Sequence, residues 1–121
     1  MKAIEIIQRV DELEPNQYNI GQKLSWLAQL DGQIFRELTA AYEPQAVEPG
    51  EYSGGEETLL VPPPYAEGVY CRYLQAMMAA GNFETAKYNQ QIAMYDSAYG
   101  QYRDWVLRSR KHRDMGREFV F

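Results

Sequence analysis

The chain has 121 residues, 45% of them hydrophobic and 24% charged, with a net charge of −5, which suits one domain around one modest core and excludes a free, strongly basic nucleic-acid binder. No apolar run approaches the roughly 20 residues that a membrane-spanning helix needs, and acidic residues interrupt the N-terminal MKAIEIIQRVDELEP where a signal peptide is purely apolar. Cys71 is the only cysteine, which excludes an internal disulfide; the expectation is a soluble intracellular protein with a buried, inert thiol.

The first predicted helix covers about Lys2 to Leu13, with Ile4, Ile7 and Val10 at helical spacing and Ile6 and Leu13 widening the stripe. Pro15 ends it, because a residue before proline is pushed out of the helical region. A second helix follows, with Asn19 as N-cap and Gln22 three residues later, as in a capping box. Leu24, Leu27, Ile34, Leu38 and Ala41 form its apolar face, flanked by Ala28 and Phe35, with Trp26 and Leu30 to the side. Asp31 falls on or near that face, where a carboxylate needs a partner or an edge position. Two readings stand: an acid at the rim paired with a Lys or Arg, or a functional acid.

The texture then changes. EPQAVEPGEYSGGEETLLVPPP carries prolines at 44, 49 and 62–64, glycines at 50, 54 and 55, and five glutamates, without helical periodicity. It reads as an exposed arm, in which TLLV can form a short extended segment and the three prolines favour polyproline II geometry. Pro64 suits a helix start. Ala66, Val69, Tyr70, Tyr73, Leu74, Met77 and Met78 then give the face of a third helix, with Gly81 as its C′ residue. Asn82 is the expected cap of a fourth helix, from about Phe83 to Leu107 or slightly beyond, along a seam of Tyr88, Ile92, Tyr95, Tyr99, Tyr102 and Val106.

Charge is uneven along the chain. Residues 1–60 carry 11 acidic and 4 basic groups, residues 61–102 carry 3 and 2, and residues 103–121 carry 3 and 6, which gives −7, −1 and +3. An acidic front and a basic end can attract each other within one chain or between copies. The basic run Arg108, Arg110, Lys111, Arg113 and Arg117 is followed by the apolar Phe119, Val120 and Phe121. This pattern fits a tail that docks on an acidic partner, although cations also offset the dipole at a helix C-terminus. The 10 tyrosines exceed the 4 Phe and 2 Trp; a ring with a polar tip suits both core edges and half-wet interfaces.

No catalytic constellation stands out. His112 is the single histidine, and no spacing of His, Cys and carboxylates matches a metal site. The HRD triplet at 112–114 lacks the rest of a kinase signature, and Ser53-Gly54-Gly55 is not followed by the Gly-Lys of a phosphate loop. Asp11, Glu12 and Glu14 read as a solvated helix end. The expectation is a protein without cofactor, metal or enzymatic activity.

Four pieces, VDELEPN, WLAQLDG, LLVPPPYAEGVYCRYL and YNQQIAMYDSAYGQYRDW, lie within about residues 4–37 and 59–106. With them the chain resembles the head-tail connector (adaptor) proteins of long-tailed phages and prophages of Gram-positive bacteria. The middle arm and the last fifteen residues match no motif of that group. The residue pattern above predicts an all-α fold: a small bundle of about four helices over residues 1–108, a long irregular arm at 43–64 protruding between helices 2 and 3, and a basic-apolar docking tail at 109–121; the resemblance likewise implies a helical bundle. It implies a structural virion protein that forms a ring below the portal at the capsid vertex, assembled in the host cytoplasm. Its expected partners are the portal protein, copies of itself and a downstream tail-side connector or stopper protein. DNA would pass through the channel without specific binding.

On that reading Arg108, Arg110, Lys111, Arg113, Arg117, Phe119, Val120 and Phe121 contact the portal or a neighbouring subunit. Glu48, Glu51, Tyr52, Glu56 and Glu57 of the arm are expected to meet an adjacent subunit. The alternative is a small helical regulatory or scaffolding protein that binds one partner through a helix face.

Overall fold

The computed structural model describes residues 1–43 and 45–118, with side chains as far as residue 109. Among the described residues the protein is all-α, as expected. Helix α1 spans Ala3–Leu13; α2 spans Ile20–Ile34 and continues without a break through a π-helical segment, Phe35–Thr39, into a last turn, Ala40–Tyr42. Helices α3, Ala66–Gly81, and α4, Thr85–Glu118, form a hairpin and make the most extensive helix–helix contact of the molecule. The first ten residues of the expected tail therefore continue α4, while Phe119, Val120 and Phe121 lie outside the described residues.

Local chemistry explains most of the helix ends. Asn19 caps α2 as expected, its Oδ1 accepting the Gln22 N–H at 2.8 Å. Helix α1 is opened differently. Its first N–H groups, on Ala3 and Ile4, donate to the carbonyls of Glu57 and Gly55 at 2.9 and 2.8 Å, so a distant segment satisfies donors that a side-chain cap usually takes. Glu5 adds a bond back from the Lys2 N–H at 2.8 Å.

That distant segment is the arm. It is irregular, as expected, but it does not protrude throughout. Lys2 pairs with Thr58 in a single antiparallel bridge, the Leu59 N–H donates to the Met1 carbonyl at 2.9 Å, and Leu59 and Val61 are buried in the core. Burial of each stabilises the fold by about 1.5–3 kcal/mol, an amount that an exposed arm would forgo. The second half of the arm is thus a strap across the start of α1. Gly55 sits at φ +86°, and a Cβ there would come within 3.0 Å of the Ile4 Cβ, so glycine alone fits both the backbone and the space. The strap also leaves Ile4 only half-buried, and the core face of α1 is Ala3, Ile6, Ile7 and Val10, with Leu13 exposed.

The core joins this face to Leu24, Leu27, Leu30, Ile34 and Leu38 of α2, to Val69, Tyr70, Leu74 and Met78 of α3, and to Tyr102 and Val106 of α4. The rest of the tyrosine seam lies half-buried along the hairpin. Tyr73 meets Tyr95, which stacks on Tyr99, and Tyr65 meets Tyr102 and Trp105 with ring centroids 5.8 and 5.5 Å apart.

The triple proline makes a turn rather than an extended spacer. The Pro63–Pro64 bond is cis, and the Tyr65 and Ala66 N–H groups both donate to the Pro62 carbonyl at 3.0 and 3.1 Å. The helix accordingly begins at Ala66, two residues after the start expected at Pro64.

The α3–α4 turn also departs from the expected assignment. Asn82 is the C-cap of α3, and the left-handed C′ residue is Phe83, at φ +58°, instead of Gly81. The Glu84 N–H donates to the Ala79 carbonyl at 2.9 Å and the Phe83 N–H to the Ala80 carbonyl at 3.2 Å, the paired bonds of a Schellman motif. Gly81 serves close approach. The Tyr18 hydroxyl shares its one proton between Asn82 Oδ1 at 3.0 Å and the Met78 carbonyl at 3.3 Å, and a Cβ at position 81 would lie 2.1 Å from that hydroxyl.

Two substitutions test this turn. Gly81→Ala gains about 1 kcal/mol of helix propensity but forces Tyr18 from its seat at an overpacking cost of about 1–3 kcal/mol, so urea unfolding should show a net loss. Phe83→Gly relieves a left-handed non-glycine residue worth about 1–2 kcal/mol, less the flexibility glycine adds to the unfolded chain, and should raise stability by about 1 kcal/mol.

Candidate functional site

Asp31 lies one helical turn from both Leu27 and Ile34, and that spacing turns it into the core, where it is 0% exposed. Tyr70 of α3 donates its O–H to Asp31 Oδ1 at 2.5 Å, and Tyr52 of the arm donates to Oδ2 at 2.6 Å. The Leu60 N–H donates to the same Oδ2 at 3.1 Å, and the Val61 N–H donates to the Tyr70 hydroxyl at 2.8 Å. One carboxylate thereby ties α2, α3 and both halves of the arm together. Its partners are two phenols and a backbone amide, where the sequence had suggested a cation at the rim or a functional acid. Burial pushes the Asp31 carboxyl above its usual range, against the pull of the Tyr52, Tyr70 and Leu60 donors. Burial, reinforced by Asp31, also pushes both phenols well up, so Tyr52 and Tyr70 remain protonated donors. The cluster has no solvent access at Asp31 and works as a structural latch.

The other arm residues expected at a subunit contact are largely engaged inside the chain. Glu48 pairs with Arg36 at 2.9 Å and Glu56 with Lys2 at 2.9 Å. Glu57 accepts from the Ser53, Gly54 and Gly55 N–H groups at 2.8, 3.3 and 2.8 Å, and these bonds, led by that of Ser53, hold its carboxyl below the usual range. Glu51 is exposed at a cleft of about 440 Å³ that it lines with Tyr52, Gly50, Ser25, Ala28 and Gln29. The structure thus brings Tyr52 and Glu57 together as strap-forming groups and leaves Glu51 facing outward.

Arg108 is exposed on α4, and Arg110, Lys111, Arg113 and Arg117 occupy its last turns. Trp105 packs on Tyr65, next to the first residue of α3. From there α4 runs on through residues 106–118 for about 20 Å, placing the basic stretch past the start of its partner helix.

The acidic end of α1 is more than a solvated face. Asp11 accepts from the buried Lys23 ammonium at 2.6 Å, and Glu14 accepts from Lys87 at 2.7 Å. Both carboxylates hold the end of α1 to a neighbouring helix. Cys71 is buried, and burial pushes its thiol up to about 11, which fits an unreactive side chain. Among the described residues no group of three or more His, Cys, Asp or Glu side chains could hold a metal ion, and no helix is long and apolar enough to cross a membrane.

Comparison of the chain with protein-family models, with curated proteins and with solved structures yields no match.

The latch makes quantitative demands. Asp31→Ala strands the Tyr70 hydroxyl and the Leu60 amide, each worth about 1–3 kcal/mol when buried without a partner, so urea unfolding should show a loss of about 3 kcal/mol. Tyr52→Phe removes one bond and should cost about 1 kcal/mol. Because the folded pKa of Asp31 is raised above the ordinary 3.8, the folded state holds the proton more tightly than the unfolded chain. The stability this adds is complete below about 3.8 and is lost as pH rises through the folded value. The advantage of the native protein over Asp31→Ala should therefore be largest in acid and shrink across that window; an advantage that grows with pH would mean that the donors outweigh burial.

Proposed function

We propose that the protein is a structural adaptor of a phage particle, a head-tail connector that assembles as a ring below the portal at the capsid vertex. In this reading it joins the portal to a downstream connector or stopper protein, and DNA passes through its channel without specific binding. The reading rests on the resemblance of residues 4–37 and 59–106 to such adaptors. The observation that carries it furthest is the polarity of the molecule: residues 1–102 sum to −8 (−7 and −1), while the basic stretch at +3 is carried out along α4.

A ring needs a heterologous interface, with unlike patches on the two sides of each subunit. An acidic bundle and a basic helix end supply unlike patches. The engagement of Glu48, Glu56 and Glu57 within their own chain leaves Glu51 as the arm residue best placed to meet a neighbour. An acidic body also suits a channel wall past which DNA must slide, because like charge disfavours adhesion.

The decisive measurement is the mass in solution of the 14.0 kDa chain, alone and with candidate portal proteins from the same gene neighbourhood. Growth to a high-order ring or a portal-bound complex supports the adaptor. Reversal of Arg110 and Lys111 to Glu should weaken that assembly and leave the circular-dichroism helix signal unchanged. A protein that stays monomeric or dimeric and ignores the portal would instead be the small regulator or scaffold.

A further inference from the structure

Between α1 and α3 runs a cleft of about 530 Å³, whose walls include Arg9, Leu13, Gly68, Cys71, Arg72 and Gln75, within the size range of small-molecule sites. Three loose ends of the fold meet there. Gln75 is 7% exposed, and its Oε1 has no hydrogen-bond partner among the described residues, a state that buried polar atoms rarely keep. Its Nε2 donates to Glu14 Oε1 at 3.5 Å, the limit of a hydrogen bond, while Glu14 Oε2 accepts from Lys87 at 2.7 Å. Arg72 donates to the neutral Gln91 Oε1 at 3.3 Å and forms no ion pair among the described residues. The other guanidinium of the cleft, on Arg9, is held by Glu67 at 2.7 Å. Leu13 is 54% exposed although it is large and apolar.

We infer that this cleft binds an apolar α-amino acid as a zwitterion. Its carboxylate sits on Arg72, its ammonium between Gln75 Oε1 and Glu14 Oε1, and its side chain over Leu13 and Cys71. Arg72 and Gln75 are three residues apart on α3, so they stand side by side on one face, which suits the short span between the two charged groups of an α-amino acid. A guanidinium offers donors alone, in a fork that matches a carboxylate. An ammonium carries three donors, which the Gln75 and Glu14 oxygens accept. Gln75 Oε1 is covered, but the terminal torsion of a glutamine is soft, so the amide can turn its oxygen towards the cleft. An anion alone would leave that oxygen without a donor, and a cation alone would leave Arg72 unpaired; a zwitterion satisfies both. Gly68 and Cys71 are small, which leaves room for an apolar side chain beside Leu13. This inference stands apart from the adaptor reading, and either can fail without the other.

The test is an amide NMR titration of the full-length chain with L-leucine, N-acetyl-L-leucine and isopentylamine; the last two lack the ammonium and the carboxylate respectively. L-leucine should shift the amides of α3 around Arg72 and Gln75. Each truncated ligand should bind at least about tenfold more weakly, the effect of losing one charged contact. Arg72→Gln and Gln75→Leu should each weaken L-leucine binding by at least about tenfold. Gln75→Leu should do so without lowering the urea midpoint, because it removes a buried oxygen that has no partner, and this separates a binding role from a structural one. Arg72 has no ion pair to lose, so Arg72→Gln keeps the fold and decides the point if Gln75→Leu proves unstable. If L-leucine near its solubility limit shifts no amide of the cleft, or if both variants bind it as the native chain does, the inference is overturned. It is overturned equally if N-acetyl-L-leucine binds as tightly as L-leucine, since the occupant would then be the end of a polypeptide chain.

Discussion

A carboxylate with no exposed surface must find donors, and Asp31 finds them in three separate parts of the chain. Tyr70 reaches it from α3, and Tyr52 and the Leu60 amide reach it from the two halves of the arm. Removal of a charge from water is costly enough that the folded state cannot leave such a group unpaired. The positions of α2, α3 and the strap are therefore coupled. Once the strap is seated, Gly55 and Glu57 present their carbonyls to the first turn of α1, and Leu59 and Val61 fill the core. An irregular, glycine-rich and proline-rich segment is thus ordered by one buried acid and by the helix start that it caps.

This arrangement explains the unequal fate of the acidic residues. Glu48, Glu56 and Glu57 belong to the arm's own anchoring, through Arg36, Lys2 and three backbone amides. Asp11 and Glu14 clamp α1 to Lys23 and Lys87. The ion pairs between exposed groups each contribute little, whereas the Lys23 ammonium is buried and depends on Asp11 more strongly. Much of the front-loaded negative charge is accordingly architectural, and the outward character of the molecule is set at its two ends: the aromatic turn at Phe83 and the basic final turns of α4.

Features written in local spacing were legible in the sequence. Asn19 was identifiable as a cap, Pro15 as a stop, and Leu24, Leu27, Ile34 and Leu38 as a core face, because each depends on residues within a few positions. Asp31 was visible as an anomaly on that face. Its partners were not, since they lie 21, 29 and 39 residues away and no periodicity links them. The strap carried a signal in retrospect: the apolar pair Leu59 and Val61 alternates as an extended segment does when one side is buried. Gly81 was given the role glycine usually takes at a helix end, while its actual constraint is the Tyr18 ring, sixty-three positions earlier. Nothing in local propensity favours a left-handed phenylalanine, so Phe83 could be found only from the backbone.

The aromatic residues are distributed in a way that separates the two ends of α3. Trp26 meets Tyr18 edge-on at 5.2 Å, and Tyr18 bonds to the last turn of α3. Trp105 meets Tyr65 at 5.5 Å beside the first turn. The sixteen residues of α3 place these pairs about 24 Å apart. The protein thereby contains two indole fluorophores, each fed by its own tyrosine donor and each reporting on a different pole. With one tryptophan replaced by phenylalanine, the emission of the other becomes a local optical gauge, and events at the hairpin turn can be watched separately from those at the root of the basic helix.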